Sequence, residues 1–222
     1  MPLFDTDVNL PGNLQMARNP TINRKRSTQE KRRKIMKAAV TVFARKGFAR
    51  CRISDIAAEA EVAYGLVYHY FENKEEILNS IFDENWGLLS KVIDTTVEQS
   101  ESLEERLLAI VSFICDAYRL APEIIQVMVI EIARSSKFLK KSQIEVYERV
   151  FNRLTEILED HQKTGEIQPG LDPKFMAYCF FGALELVLTG YLLNTLTPGA
   201  DDFEAFKSSL VKMFLDGIRR KG

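Results

Sequence analysis

Residues 53–71 read ISDIAAEAEVAYGLVYHYF, and the spacing of their apolar side chains decides the architecture. Ile53, Ile56, Ala57 and Ala60 fall on one face of a helix, and Leu66, Val67 and Tyr70 on one face of a second. Only Glu61, Val62 and Ala63 lie between them. Two short helices joined by so few residues cross steeply, which is the helix-turn-helix arrangement. The second helix then stands proud and can lie in the major groove of DNA, its first residues toward the base edges. Two such helices cannot bury a core alone, so the flanking chain must support them.

That support is visible on both sides. A helix is expected from Ser27 or Thr28 to Lys46, with Ile35, Ala38, Ala39, Val42 and Phe43 as its buried stripe and Gly47 as its stop. Downstream, Asn73 followed by Glu76 forms a capping-box pattern. Lys74 would stand at the first helical position, where a cation opposes the helix dipole by about 0.3–1 kcal/mol. A phosphate held jointly by Lys74 and the free amides of that helix end would account for it. Residues 1–26, with Pro2, Pro11, Gly12 and Pro20, read as a mobile tail. Its last residues, Arg24, Lys25 and Arg26, can follow DNA phosphates or simply keep the chain soluble.

The remaining pattern is helical: 74–97, 101–119, 122–134, 137–162, 172–195 and 201–219. Breaks fall at Ser100, Ala121-Pro122, Ser135-Ser136, Gly165 to Pro173 and Pro198-Gly199. With no β-alternating run or internal repeat, the expected class is all-α, a three-helix head and a bundle of about six helices.

Charge is divided along the chain. Residues 18–52 carry thirteen Lys/Arg against one acid, Glu30, while the 222-residue chain has a net charge of −1. A basic segment on an acidic body implies a polyanion partner for one end only. A solvated helix face is the ordinary reading of such a run, but the adjoining helix-turn-helix reverses it. Cys51, Cys115 and Cys179 stand far apart without a CxxC, and the histidines are His69 and His161. Neither a disulfide framework nor a metal site is expected, and reduced thiols suit a cytoplasmic protein. The first residues carry no apolar run of signal-peptide type. Residues 175–193, FMAYCFFGALELVLTGYLL, hold one charge, Glu185, and nearly reach membrane-spanning length. Burial on both sides, in a subunit interface, is expected rather than a membrane span.

The motifs resemble the TetR family of transcriptional regulators. The resemblance lies in ARKGF at 44–48, ISDIAAEA at 53–60, YGLVYHYF at 64–71 and NKEEIL at 73–78, in that order and spacing. It implies a DNA-binding domain at 27–73 and a ligand-binding and dimerisation domain at 74–222. Tyr68, His69 and Lys74 match positions that commonly contact phosphates, and Ala63, Tyr64 and Gly65 positions facing bases. Departures from the family pattern stand out. Arg52 occupies a place where a capping hydroxyl is common, so Ser54 is expected to cap and Arg52 to reach a phosphate or base edge. Glu61 replaces a turn glycine, and Ala63 lacks the usual hydroxyl. Tyr64 stands where many members carry Lys or Arg, so a strong guanine-reading donor is absent.

Beyond residue 80, ARSSKFLKK (133–141) and LEDHQKTGEIQPGLDP (158–173) look most like the fatty-acid-responsive FadR-type members. The resemblance implies a homodimer formed by the last two helices, a double-stranded operator, and release by a small hydrophobic effector such as a long-chain acyl-CoA. Candidates for lining its cavity are Trp86, Leu89, Phe113, Ala117, Phe151, Phe180 and Leu184. Glu131 and Arg134 could hold a polar ligand group, or pair with each other. Arg134, Lys137, Lys140 and Lys141 could meet the phosphates. An aromatic or drug-like effector, and DNA binding without an effector, stay open. No Ser-His-Asp set, paired-carboxylate motif, phosphate-cradling glycine loop or metal cluster points to an enzyme or a cofactor.

Overall fold

The computed structural model describes residues 20–131, 141–196 and 202–220. In order the helices are α1 (Pro20–Lys46), α2 (Ile53–Glu59), α3 (Tyr64–Tyr70), α4 (Lys74–Gln99), α5 (Leu103–Leu120), α6 (Pro122–Gln126), α7 (Lys141–Lys163), α8 (Pro173–Leu192) and α9 (Asp202–Ile218). Among the described residues no strand forms, and the one extended pairing is an isolated bridge between Ile167 and Arg219. The all-α class is therefore as expected.

The chain packs as two compact units, divided between Glu84 and Asn85. The division falls inside α4 rather than at its start, because Ile77, Leu78 and Ile81 of its first turns are buried in the head. In that first unit, Ile35, Met36, Ala39, Val42 and Phe43 of α1 are fully buried, as are Ile56 of α2 and Val67 of α3. Burial of such side chains contributes about 1.5–3 kcal/mol each. The α1 start differs from expectation: the helix begins at Pro20, so residues 20–26 are helical and not tail. Proline suits a first helical position, where no amide hydrogen is needed. The remainder of the expected tail, 1–19, lies outside the described residues.

The turn between α2 and α3 closes by a specific pair of bonds. Val62 N–H donates to the Ala57 carbonyl at 3.0 Å and Glu61 N–H to the Ala58 carbonyl at 3.1 Å. This is a Schellman ending, which needs a left-handed residue at its centre. Glu61 fills that place with φ 50°, where glycine would be free of strain. Its ion pair with Lys34, 3.7 Å long between exposed groups, contributes little.

In the second unit, α7 packs on α8 and α5 on α9. Leu107, Val111 and Cys115 of α5, Phe151, Leu154 and Leu158 of α7, and Ala177, Phe180 and Leu184 of α8 are buried. Ser102 caps α5 by accepting from Glu105 N–H, and Asp172 caps α8 by accepting from Phe175 N–H at 2.7 Å, with Pro173 following. The segment expected as one helix over 122–134 is broken: after Gln126 the chain widens into a π-helical turn, Val127–Glu131. Residues 132–140 and 197–201, with the expected breaks at Ser135-Ser136 and Pro198-Gly199, lie outside the described residues. The end of α9 is pinned to the turn before α8. Glu166 Oε2 takes a bond from His161 Nδ1 at 2.7 Å, its Oε1 meets Arg219 at 3.3 Å, and Gln168 N–H donates to the Ile218 carbonyl.

The strained turn yields a direct expectation. Glu61→Gly should raise the unfolding free energy by up to about 1 kcal/mol, read as a higher urea midpoint. An unchanged or lower midpoint would contradict the left-handed assignment.

Candidate nucleic-acid interface

The exposed face of the head is built from the two short helices. Arg52 sits at the N-cap of α2 with extended backbone, φ −113° and ψ 155°. Its side chain has only donors and cannot accept from an amide. Asp55 supplies the reciprocal half of the cap, accepting from Arg52 N–H at 3.0 Å. The capping role expected of Ser54 thus belongs to Asp55, one residue later. Asp55 also accepts from Lys46 Nζ at 2.8 Å, and that hydrogen bond holds its carboxyl below the usual carboxylate range. Arg45 pairs similarly with Glu59 at 3.0 Å. Two cations of the basic segment are thus occupied by α2, while the Arg52 side chain stays exposed.

On α3, Val67 points inward and Ala63, Tyr64, Gly65, Tyr68 and His69 are exposed. Ala63 is the N-cap without a side-chain bond, as its missing hydroxyl requires. A methyl built on Gly65 would meet nothing of the chain within 4 Å, so nothing in the protein itself demands glycine there. Tyr64 and Tyr68 lie one turn apart with hydroxyls 3.2 Å from each other and ring centroids 5.2 Å apart at 67°. The His69 ring stands edge-on to Tyr70 at 5.0 Å.

Lys74 behaves differently from the other candidates. Its ammonium donates to the carbonyls of Phe48, Ala49 and Cys51 at 2.8, 3.2 and 3.2 Å, and stands 4.6 Å from the Phe48 ring centre. An ammonium has three donors, and all three are directed at backbone oxygens. The dipole-opposing cation therefore has a reason inside the protein, in carbonyls of the α1–α2 corner. Asn73 caps α4 as expected, accepting from Glu76 N–H at 2.8 Å; the Glu76 carboxylate reaches Glu72 N–H at 2.6 Å, one residue beyond the usual box. Arg32, which the sequence did not single out, is also turned inward. It lies 4.9 Å from the Phe71 ring centre and donates to Ser80 Oγ at 2.7 Å.

In the second unit the effector candidates divide. Trp86, Leu89, Ala117, Phe151, Phe180 and Leu184 are buried and Phe113 half-buried. Trp86 and Phe151 meet in a ring cluster with Tyr147, Tyr178 and Phe181, centroids 4.2–6.2 Å apart. Phe180 instead packs on Phe214 at 5.0 Å. Burial pushes the Tyr147 hydroxyl up to about 12, helped by Tyr178 and Glu185, and burial also raises the Glu185 carboxyl. The sequence missed Tyr147 on α7 and Phe181 and Glu185 on α8 because helical periodicity marks the faces of each helix but not which neighbour each face meets. The Glu131 side chain and residues Arg134, Lys137 and Lys140 lie outside the described residues, and Lys141 is exposed. Burial raises the Cys51 and Cys115 thiols to about 11 and 12, so both stay protonated at neutral pH.

Replacing Lys74 by Met should lower the unfolding free energy by about 1.5–3 kcal/mol, the range for hydrogen bonds to a charged group. The salt dependence of duplex binding should not change. A salt slope smaller by about one, with stability intact, would return Lys74 to a phosphate.

Comparison with known proteins extends these features to a family. Residues 35–81 match the model for bacterial regulatory proteins of the tetR family, and residues 82–199 that for the YsiA-like protein, C-terminal region. The fatty acid metabolism regulator protein of Bacillus subtilis (strain 168) is 29% identical over 187 residues, covering 84% of this chain and 95% of its own length. Two solved structures superpose with TM-score 0.74 each. They are the fatty acid degradation regulator FadR from Bacillus halodurans, 27% identical over 86% of this chain and 97% of that one, and FadR from Bacillus subtilis in complex with stearoyl-CoA, 28% identical over 84% and 98%. With a helix-turn-helix head in the first matched segment and a helical bundle in the second, this chain belongs to the TetR family of transcriptional regulators.

Proposed function

We propose that the protein is a repressor that binds a palindromic operator as a homodimer and lets go when a long-chain acyl-CoA occupies its second unit. The observation that carries the effector is the likeness, over most of both chains, to a FadR that binds stearoyl-CoA. In this reading Ala63, Tyr64 and Gly65 face bases, and Arg52, Tyr68 and His69 face the duplex beside them. Half-sites would lie about one DNA turn or slightly more apart. Trp86, Phe151 and their ring neighbours supply apolar surface for the acyl chain, and basic residues near the start of α7, Lys141 among them, supply charge for the phosphates. Release needs only that the acyl-CoA bind tighter to the dimer whose heads do not fit the operator.

Dimerisation has its own support. The helix α8 is long and apolar enough to cross a membrane, yet only about a third of its apolar window is buried within the chain. Phe175, Tyr178 and Leu186 of α8 and Met213 of α9 are exposed. Apolar surface of that extent is covered in a stable protein, and a second copy covers it without a membrane. The site of action is the cytoplasm, where the operator is found. The ring cluster around Trp86 and Phe151 supports a second reading of the effector alone, an aromatic compound in place of an acyl chain.

Fluorescence anisotropy on a duplex that the protein selects from a random pool tests this. Stearoyl-CoA should weaken binding by about 5–150-fold, the usual span of allosteric coupling, while free coenzyme A should not. Duplex binding that ignores acyl-CoA would remove the effector. Release by aromatic compounds alone would favour the second reading.

A further inference from the structure

We propose that Tyr64 and Tyr68 read one base pair together, as a joined donor–acceptor unit directed at the major-groove edge of an adenine. This rests on the reading of α3 as the helix that enters the groove.

The two tyrosines are 54% and 47% exposed, on one face of a helix that carries no Lys or Arg from Tyr64 to Tyr70. A lone hydroxyl on a surface rotates freely and offers a donor or an acceptor without preference. Here the hydroxyls lie 3.2 Å apart, and the edge-to-face packing of the rings keeps them there. One hydroxyl spends its hydrogen on the other and is left with lone pairs alone facing outward. Its partner, having accepted, keeps its own hydrogen to donate. Whichever way the bond runs, the pair presents one donor and one acceptor side by side. The hydrogen bond to Tyr64 raises the Tyr68 hydroxyl above the ordinary tyrosine range, and either hydroxyl can be the donor within the pair.

The four bases answer such a pair differently. Guanine shows two acceptors, N7 and O6, which would set an acceptor against the outward lone pairs. Cytosine shows a donor only, and thymine an acceptor beside a methyl group. Adenine alone shows an acceptor, N7, next to a donor, the N6 amino group. A side-chain amide meets adenine with the same donor and acceptor. Two tyrosines would here do the work of one amide, at the place where the resemblance notes the absence of a guanine-reading cation.

The full-length protein, its Tyr64→Phe and Tyr68→Phe variants and the double variant would each be put through selection from a randomised duplex pool. The wild type should enrich an A·T pair at one position of each half-site by roughly tenfold or more over G·C. Each single variant should lose that preference, and the double variant should lose no more than either single one, because the unit is already broken. Other positions should keep theirs. Three results would overturn the pair: a preference that survives either substitution, variants that weaken binding to all sequences alike, or a G·C pair at the Tyr-dependent position. A wild type that enriches no sequence would instead bring down the DNA-binding reading itself.

Discussion

The head depends on one cation held by backbone. Between the end of α1 and the start of α2 the chain turns a corner, and the carbonyls of Phe48, Ala49 and Cys51 have left the α1 ladder. The Phe48 carbonyl also takes the Cys51 N–H at 3.3 Å and Ala49 is exposed, so the part-buried Cys51 carbonyl gains most from a further donor. The ammonium of Lys74 supplies a donor to each and ties the first turn of α4 to that corner. Arg32, on the Phe71 ring and the Ser80 hydroxyl, makes a second tie between α1 and the chain that follows α3. With these in place the angle between α2 and α3 is left to the Schellman turn at Glu61. Two basic side chains are thus consumed in holding the head, and the reading face of α3 is left to hydroxyls, small residues and His69.

That use of cations changes how the basic segment is understood. Counted along the chain, residues 18–52 look like a continuous polycation. In the fold, Lys46 and Arg45 face Asp55 and Glu59, Lys34 approaches Glu61, and Arg32 is turned inward. The charge available to phosphates is smaller than the count implies.

Much of this was legible in the sequence. The turn position of Glu61 came from the resemblance, which puts a glycine there, while the period of 53–71 marked both short helices because it follows from local rules. Asn73 and Gly47 were readable as caps for the same reason. What escaped depended on neighbours distant along the chain. Lys74 looked exposed because nothing local says that Phe48, Ala49 and Cys51 will come beside it. Tyr147 and Phe181 were not grouped with Trp86 because packing between α4, α7 and α8 leaves no trace in any one helix. The π turn after Gln126 was invisible for another reason: VMVIE is as apolar as the helix it interrupts, so periodicity does not register the change of pitch. Arg52 carried a half-correct signal, since its inability to cap was plain but the rescuing group is the Asp55 carboxylate and not the Ser54 hydroxyl.

The central claim is that an internally tethered head offers α3, with the Arg52 side chain at the start of α2 beside it, to a duplex. Amide hydrogen exchange of the full chain, with and without a duplex that it selects, tests this most directly. The account predicts slower exchange concentrated over residues 63–70, with α5 and α7 unchanged. Slowing confined to α5 or α7, or none along α3, would contradict it.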